Sequence, residues 1–121
     1  WIFQALDRIN PRVAVVEFNH LWGPADAVTV PYRDDFVAEF TEHGSDYAGA
    51  SLGAFVKLGK RKGYRLVATN AIATNAFFVR DDIACDWLPA TDPATCFNHP
   101  RAQFGMAERL PKVKDKPWER V

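Results

Sequence analysis

Between Tyr47 and Arg80 the chain reads YAGASLGAFVKLGKRKGYRLVATNAIATNAFFVR, and no other stretch narrows the fold as much. Leu52, Phe55, Val56 and Gly59 fall at i, i+3, i+4 and i+7, the stripe of one helix face. The spacing predicts a helix over 50–62, capped by Ser45 or Ser51 and closed by Gly63. Lys57, Lys60, Arg61 and Lys62 gather at its end, where cations offset the helix dipole. Gly49, Ala50, Gly53 and Ala54 are small enough to let the helix approach a sheet closely, although each glycine costs about 1 kcal/mol of helix propensity relative to Ala. Tyr64 to Thr69, with its body at 65–69, and Ala76 to Arg80 read as strands. The turn between them is too short for a helical crossover, so they pair antiparallel. The apolar helix face must bury itself against that sheet.

Val13 to Phe18, VAVVEF, is a short run rich in β-branched residues, as in a strand covered on both faces. A helix lies between it and 65–69, so these two strands can run parallel with a right-handed crossover. The run ends in Glu17, Asn19 and His20, and the carboxyl end of a parallel strand is where such sheets place ligands. Equally, Glu17 could pair with a cation while Asn19 and His20 open a loop. The connection from His20 to Asp46 is long, with a short extended piece over Ala27–Val30 and a weak helical pattern around Phe36, Val37 and Phe40. Its length, with Trp22, Tyr32 and Tyr47 in it or at its edge, predicts a functional loop or lid. The same aromatics could instead cap the sheet edge.

At the front, Ile2, Phe3, Leu6 and Ile9 have helical spacing, stopped by Asn10-Pro11. No capping residue precedes them, and the chain starts at Trp1 rather than Met. Both observations predict a helix entered midway, in a piece of a longer protein. The expected organisation is an α/β unit over 1–83 and a Pro-rich extension with a charged tail over 84–121. A short helix is expected over 101–110, followed by a tail free to move.

Length and composition exclude more than they assign. A chain of 121 residues allows one modest core. Lys+Arg and Asp+Glu balance at 15 each, so net charge argues for neither nucleic acid nor membrane. No apolar run approaches the roughly 20 residues of a membrane span, and no signal-peptide pattern occurs. Cys85 and Cys96 lack CxxC spacing and have only His99 nearby as a further ligand type, which predicts free thiols, no metal and a reducing, cytoplasmic setting. No GxSxG, HExxH, P-loop or GxGxxG occurs.

The order of VAVVEFN at 13–19, VTVPY at 28–32, YAGASLGAFVKLGKRKGYRLVATN at 47–70 and NAFFVR at 75–80 resembles the C-terminal half of class I S-adenosylmethionine-dependent methyltransferases. It is most similar to the FkbM-type branch and its bacterial relatives. The resemblance covers roughly positions 1–83. It implies the C-terminal part of a Rossmann-like sheet: parallel strands at 13–18 and 65–69, an antiparallel strand at 76–80 between them, and helix 50–62 on one face. It also implies that the cofactor, S-adenosylmethionine, is held mostly outside this chain. The family's Gly-rich turn and its acidic partner have no counterpart among these residues. Glu17 and His20 then stand as candidate catalytic groups, a base for a hydroxyl acceptor, and Asn19, Tyr32, Tyr47 and Asn75 as contacts to a small or saccharide-like acceptor. Asn70 and Asn75 could equally serve the turn between the strands. The other readings are a noncatalytic module that keeps the sheet, and, more weakly, a hydrolase built on His20 and Glu17, for which no nucleophile elbow is present. The 13–18 edge is expected to be exposed, a surface for self-association.

Overall fold

The computed structural model describes residues 1–42 and 44–121. The chain opens with α1 (Ile2–Ala5), which has no side-chain cap and ends well short of Ile9. With no cap and Asn10-Pro11 ahead, the predicted longer helix gives way to contacts that hold the segment irregularly. Trp1 Nε1 donates to the Val30 carbonyl at 2.9 Å, and the Phe3 ring meets Tyr64 edge-on. Next come β1 (Val13–Glu17), a 3-10 turn over His20–Trp22, and β2 (Val28–Thr29). The helical pattern expected around Phe36 to Phe40 is overturned at its end: β3 (Glu39–Thr41) pairs antiparallel with β4 (Gly44–Tyr47). Residues 39–41 are too few and too weakly patterned for a helix to outweigh a hairpin ladder.

The stretch that most constrained the fold behaves as its pattern dictates. Helix α2 spans Leu52–Arg61, with the Ser51 Oγ accepting from the Ala54 N–H at 3.2 Å and Gly63 at φ 76° just beyond the last turn. Its close approach is literal: a Cβ on Gly59 would lie 3.0 Å from the Phe78 ring. Strands β5 (Tyr64–Thr69) and β6 (Asn75–Arg80) form the expected hairpin. The sheet order is β1-β6-β5, with β6 antiparallel to both neighbours. Thus β1 and β5 run in the same direction with the reversed strand between them. The fold is mixed α/β, and all strand ladders among the described residues are antiparallel. No parallel ladder forms, because β6 fills the place between the two codirectional strands.

Residues 93–121 contribute to the same body. A 3-10 turn over Pro93–Phe97 leads to α3 (Pro100–Phe104), a π-helical turn over Gly105–Arg109, α4 (Leu110–Val113) and β7 (Glu119–Arg120). Phe97 and Ala102 join Phe18, Leu52, Tyr64, Leu66, Ala76 and Phe78 in one core. The tail expected to move is instead tied down. β7 pairs with β2, the Val121 N–H donates to Ala27, and Trp118 Nε1 donates to Val113. Its aromatic and aliphatic residues outweigh its charges once a hydrophobic surface is offered.

The two edges of the main sheet differ. Along β5, Thr91 donates from its N–H to Leu66 and from its hydroxyl to Val67, and the Arg65 guanidinium donates to the carbonyls of Leu88, Arg80 and Ile83. Along β1, the bonds Phe18 N–H to Thr74 and Arg80 N–H to Arg12 bracket the ladder. By alternation, the even-numbered residues of β1 bond to β6, and the N–H and C=O groups of Val13, Val15 and Glu17 face outward.

Candidate functional site

Two places gather polar chemistry. The first is the carboxyl end of β1. Glu17 is its last residue, exposed, and directly opposite Asn75, the first residue of β6. Beside it runs an open groove of about 830 Å³ between the β1 edge and residues 1–11, floored by Ala14, Val16 and Phe55 and rimmed by Glu17, Asn10 and Arg61. Asn75 is not free to reach a ligand with its whole amide. Its Nδ2 contacts the Thr74 hydroxyl at 3.3 Å, while its N–H donates to the Asn70 side chain. Asn70 also accepts from the Thr74 N–H, so it serves the turn.

The second place is a buried junction between the end of β1 and the C-terminal helices. Asn19 uses its entire amide there. Nδ2 donates to the carbonyls of Asp46 and Ala48 at 2.8 and 3.1 Å, and Oδ1 accepts from the Leu21 N–H. It clamps the 46–50 segment to β1 and starts the 3-10 turn that buries His20. The His20 ring is 7% exposed, and its Nε2 has no hydrogen-bond partner among the described residues. It lies against Gly105, where an added Cβ would sit 2.7 Å from Nε2. Burial, then the Arg109 and Arg101 guanidinium groups, push the imidazole down to about 4, against a smaller opposing pull from Asp46, so it is neutral at pH 7. Asp46 and Arg109 form a buried ion pair through both guanidinium nitrogens that face the carboxylate, the longer contact being 3.3 Å. A buried charge pair is retained only with its partner in place. The π-helical turn over Gly105–Arg109 brings both the small residue to His20 and the guanidinium to Asp46.

The predicted residues therefore do not converge. Glu17 and Asn75 share the sheet end, and Glu17 alone of the six lines the groove. His20 and Asn19 belong to the junction. Tyr47 closes that junction from outside: its hydroxyl donates to Pro117 at 3.0 Å, its ring meets Trp118 edge-on, and Lys116 Nζ lies 5.0 Å from its centroid. Tyr32 is exposed, donates to Asp34 and stands edge-on to Trp1. Asp46, Arg109 and the buried Trp22 indole nitrogen, also unpartnered among the described residues, were invisible to sequence reasoning. Asp46 and Arg109 lie 63 residues apart and share no motif. Cys85 is exposed, Cys96 buried, and both are free. Among the described residues no group of three or more His, Cys, Asp or Glu is placed to hold a metal, and no helix is long and apolar enough to cross a membrane. No family model, curated protein or solved structure matches the chain.

Proposed function

We propose that the chain is the closing half of a class I, FkbM-like methyltransferase sheet, and that it supplies acceptor-side surface for methyl transfer from S-adenosylmethionine. The observation that carries this reading is the strand order β1-β6-β5, with two codirectional outer strands and a reversed strand between them. That is the arrangement implied for the fifth, seventh and sixth strands of such a sheet. Glu17 sits at the strand end that faces substrate in this fold and on the rim of an open groove. Its carboxylate takes the role of base toward a hydroxyl of a small or saccharide-like acceptor. Asn75 opposite it orients the acceptor, and Asn19 and His20 hold the strand end in place without touching substrate.

S-adenosylmethionine binds mainly through a Gly-rich turn and an acidic residue that these residues do not include, so the isolated chain takes up no cofactor. In a protein that carries the cofactor half beside this chain, Glu17→Gln lowers kcat by about 100-fold or more, the usual scale for losing a general base, with little change in the KM for S-adenosylmethionine. Unchanged turnover would remove Glu17 from the mechanism. Micromolar binding of S-adenosylmethionine to the isolated chain would contradict the division of the site. The noncatalytic module remains the second reading, favoured by the full commitment of the Asn19 amide and the burial of His20. It requires that Glu17→Gln leave every activity of the whole protein untouched.

A further inference from the structure

The groove between residues 1–11 and β1, at about 830 Å³, has the size of a small-molecule site, for which about 300–1,000 Å³ is usual. Ile2, Leu6 and Ile9 form one wall, and Ala14, Val16 and Phe55 the floor. Most of its polar side chains are engaged within the chain. Trp1 Nε1 donates to the Val30 carbonyl, the Tyr64 hydroxyl bonds the Pro11 carbonyl and Asn10 Oδ1, and Lys62 donates to the Gln4 carbonyl and the Asp7 carboxylate. Glu17 and Arg61 are the exceptions. Both are exposed, and neither side chain holds a hydrogen bond or ion pair among the described residues. The fold sets them at opposite ends. Helix α2 runs back along β1: Ser51, just before it, bridges Asn19 past the carboxyl end of the strand, and Gly59 lies against Phe78, the cross-strand partner of Ala14. Arg61 follows at the amino end of β1. Three residues of strand part Ala14 from Glu17, which sets the two levels about 10 Å or more apart.

We propose that the acceptor is an aliphatic hydroxy acid with its hydroxyl and carboxylate at opposite ends. The carboxylate meets Arg61, the hydrocarbon lies on Ala14, Val16 and Phe55, and the hydroxyl reaches Glu17. This identity rests on the assignment of the groove to the acceptor side. Charge fixes the direction of binding, because a carboxylate is drawn to Arg61 and repelled from Glu17. A saccharide is the poorer fit, since its many hydroxyls would lie against an apolar floor with no partners. In the transfer, the hydroxyl oxygen takes the methyl, its proton passes to the Glu17 carboxylate, and the S–CH3 bond of S-adenosylmethionine breaks with its electrons left on sulfur.

NMR titration of the 121-residue chain with ω-hydroxydecanoate, without cofactor and at pH 7, tests this. The expected result is a dissociation constant of about 1 mM, in keeping with a ligand of this size, with amide shifts along Ala14, Val16, Glu17 and Arg61. Decanediol, which lacks the anion, binds about fivefold more weakly. Arg61→Gln weakens the acid by about the same factor and leaves the diol unchanged, whereas Arg61→Lys retains most of the affinity. Arg61 is exposed at the end of α2, so both variants keep the fold, which circular dichroism verifies, and the diol comparison needs no variant. Decanoate, which lacks the hydroxyl, keeps the shift at Arg61 and reduces the one at Glu17. Equal binding of acid and diol, tighter binding of a methyl glucoside, no shift along the groove at about ten times the expected dissociation constant, or groove shifts that follow protein rather than ligand concentration overturns the proposal. The two assignments fail separately. Unchanged turnover in Glu17→Gln removes the base and leaves this binding site standing, while failure of the titration removes the hydroxy acid and leaves methyl transfer to another acceptor.

Discussion

The two edges of one small sheet meet opposite fates. Strand β5 is closed by its own chain: residues 83–91 and the Arg65 guanidinium satisfy or cover it. Strand β1 is equally apolar but has only one strand beside it, and the segment that passes near it leaves a groove. The difference lies in the segments that flank the sheet. After β6, short turns and prolines fold the chain straight back over β5. Before β1, residues 1–11 line the groove beside the edge, and among the described residues they add no strand to it. The closed side is joined by the buried junction around His20, Asp46 and Arg109, which seals the chain just past the carboxyl end of β1, whereas the open edge carries Glu17. Stability is therefore expected to reside on the closed side, and binding on the open one.

The strongest challenge to this contrast is Arg109→Met. It leaves the Asp46 carboxylate buried and unpaired, and should cost about 3–5 kcal/mol of unfolding free energy in urea titration. Asp46→Leu combined with Arg109→Met should recover most of the loss. A cost below about 1 kcal/mol would mean that the junction is not what holds the closed side. Acid comes next. The unfolded His20 takes up a proton near 6.5 and the folded one only near about 4. Between those values the unfolded chain binds more protons, so stability falls as pH falls, by up to about 3 kcal/mol in total. The difference in stability between wild type and His20→Gln, measured from pH 7 to pH 4, isolates this group, and a flat difference would refute its burial as a neutral imidazole. Arg65→Ala should cost about 1–3 kcal/mol, because the Leu88 and Ile83 carbonyls lose the guanidinium donor and the Arg80 carbonyl keeps only the Ile83 N–H. The smallest effect belongs to the open side. Val15→Thr should change monomer stability by less than about 0.5 kcal/mol, because the side chain is exposed.

The hairpin of β5 and β6, helix α2 and its Ser51 cap were legible because each arises from contacts within a few residues: an apolar stripe, a hydroxyl before the first turn, a short polar turn. The place of β6 between β1 and β5 was implied only by the family resemblance, since a hairpin sets β6 beside β5 without saying on which side. The hairpin of β3 and β4 was not, because Phe36, Val37 and Phe40 present an apolar pattern without strand alternation. The tail's docking was hidden by its charges. Trp118 reads as part of a mobile end until Trp22 and Tyr47 are seen to receive it edge-on. Of the candidate residues, Glu17 was legible as a strand terminus. His20 stood next to it in sequence but turns inward, because Asn19 starts a 3-10 turn and Gly105 leaves just enough room for the ring.

The linear pattern alone thus dictates where helix α2, β1 and the β5–β6 hairpin form, since periodicity, caps and turns act over a few residues. It also dictates which strand ends carry acid and amide groups. Only the assembled fold decides which of those groups face solvent and which are sealed. The pairing of Asp46 with Arg109, the neutral burial of His20 and the groove beside Glu17 all arise from residues far apart in the chain. Burial and charge compensation depend on what surrounds a group in space, and no local pattern records that.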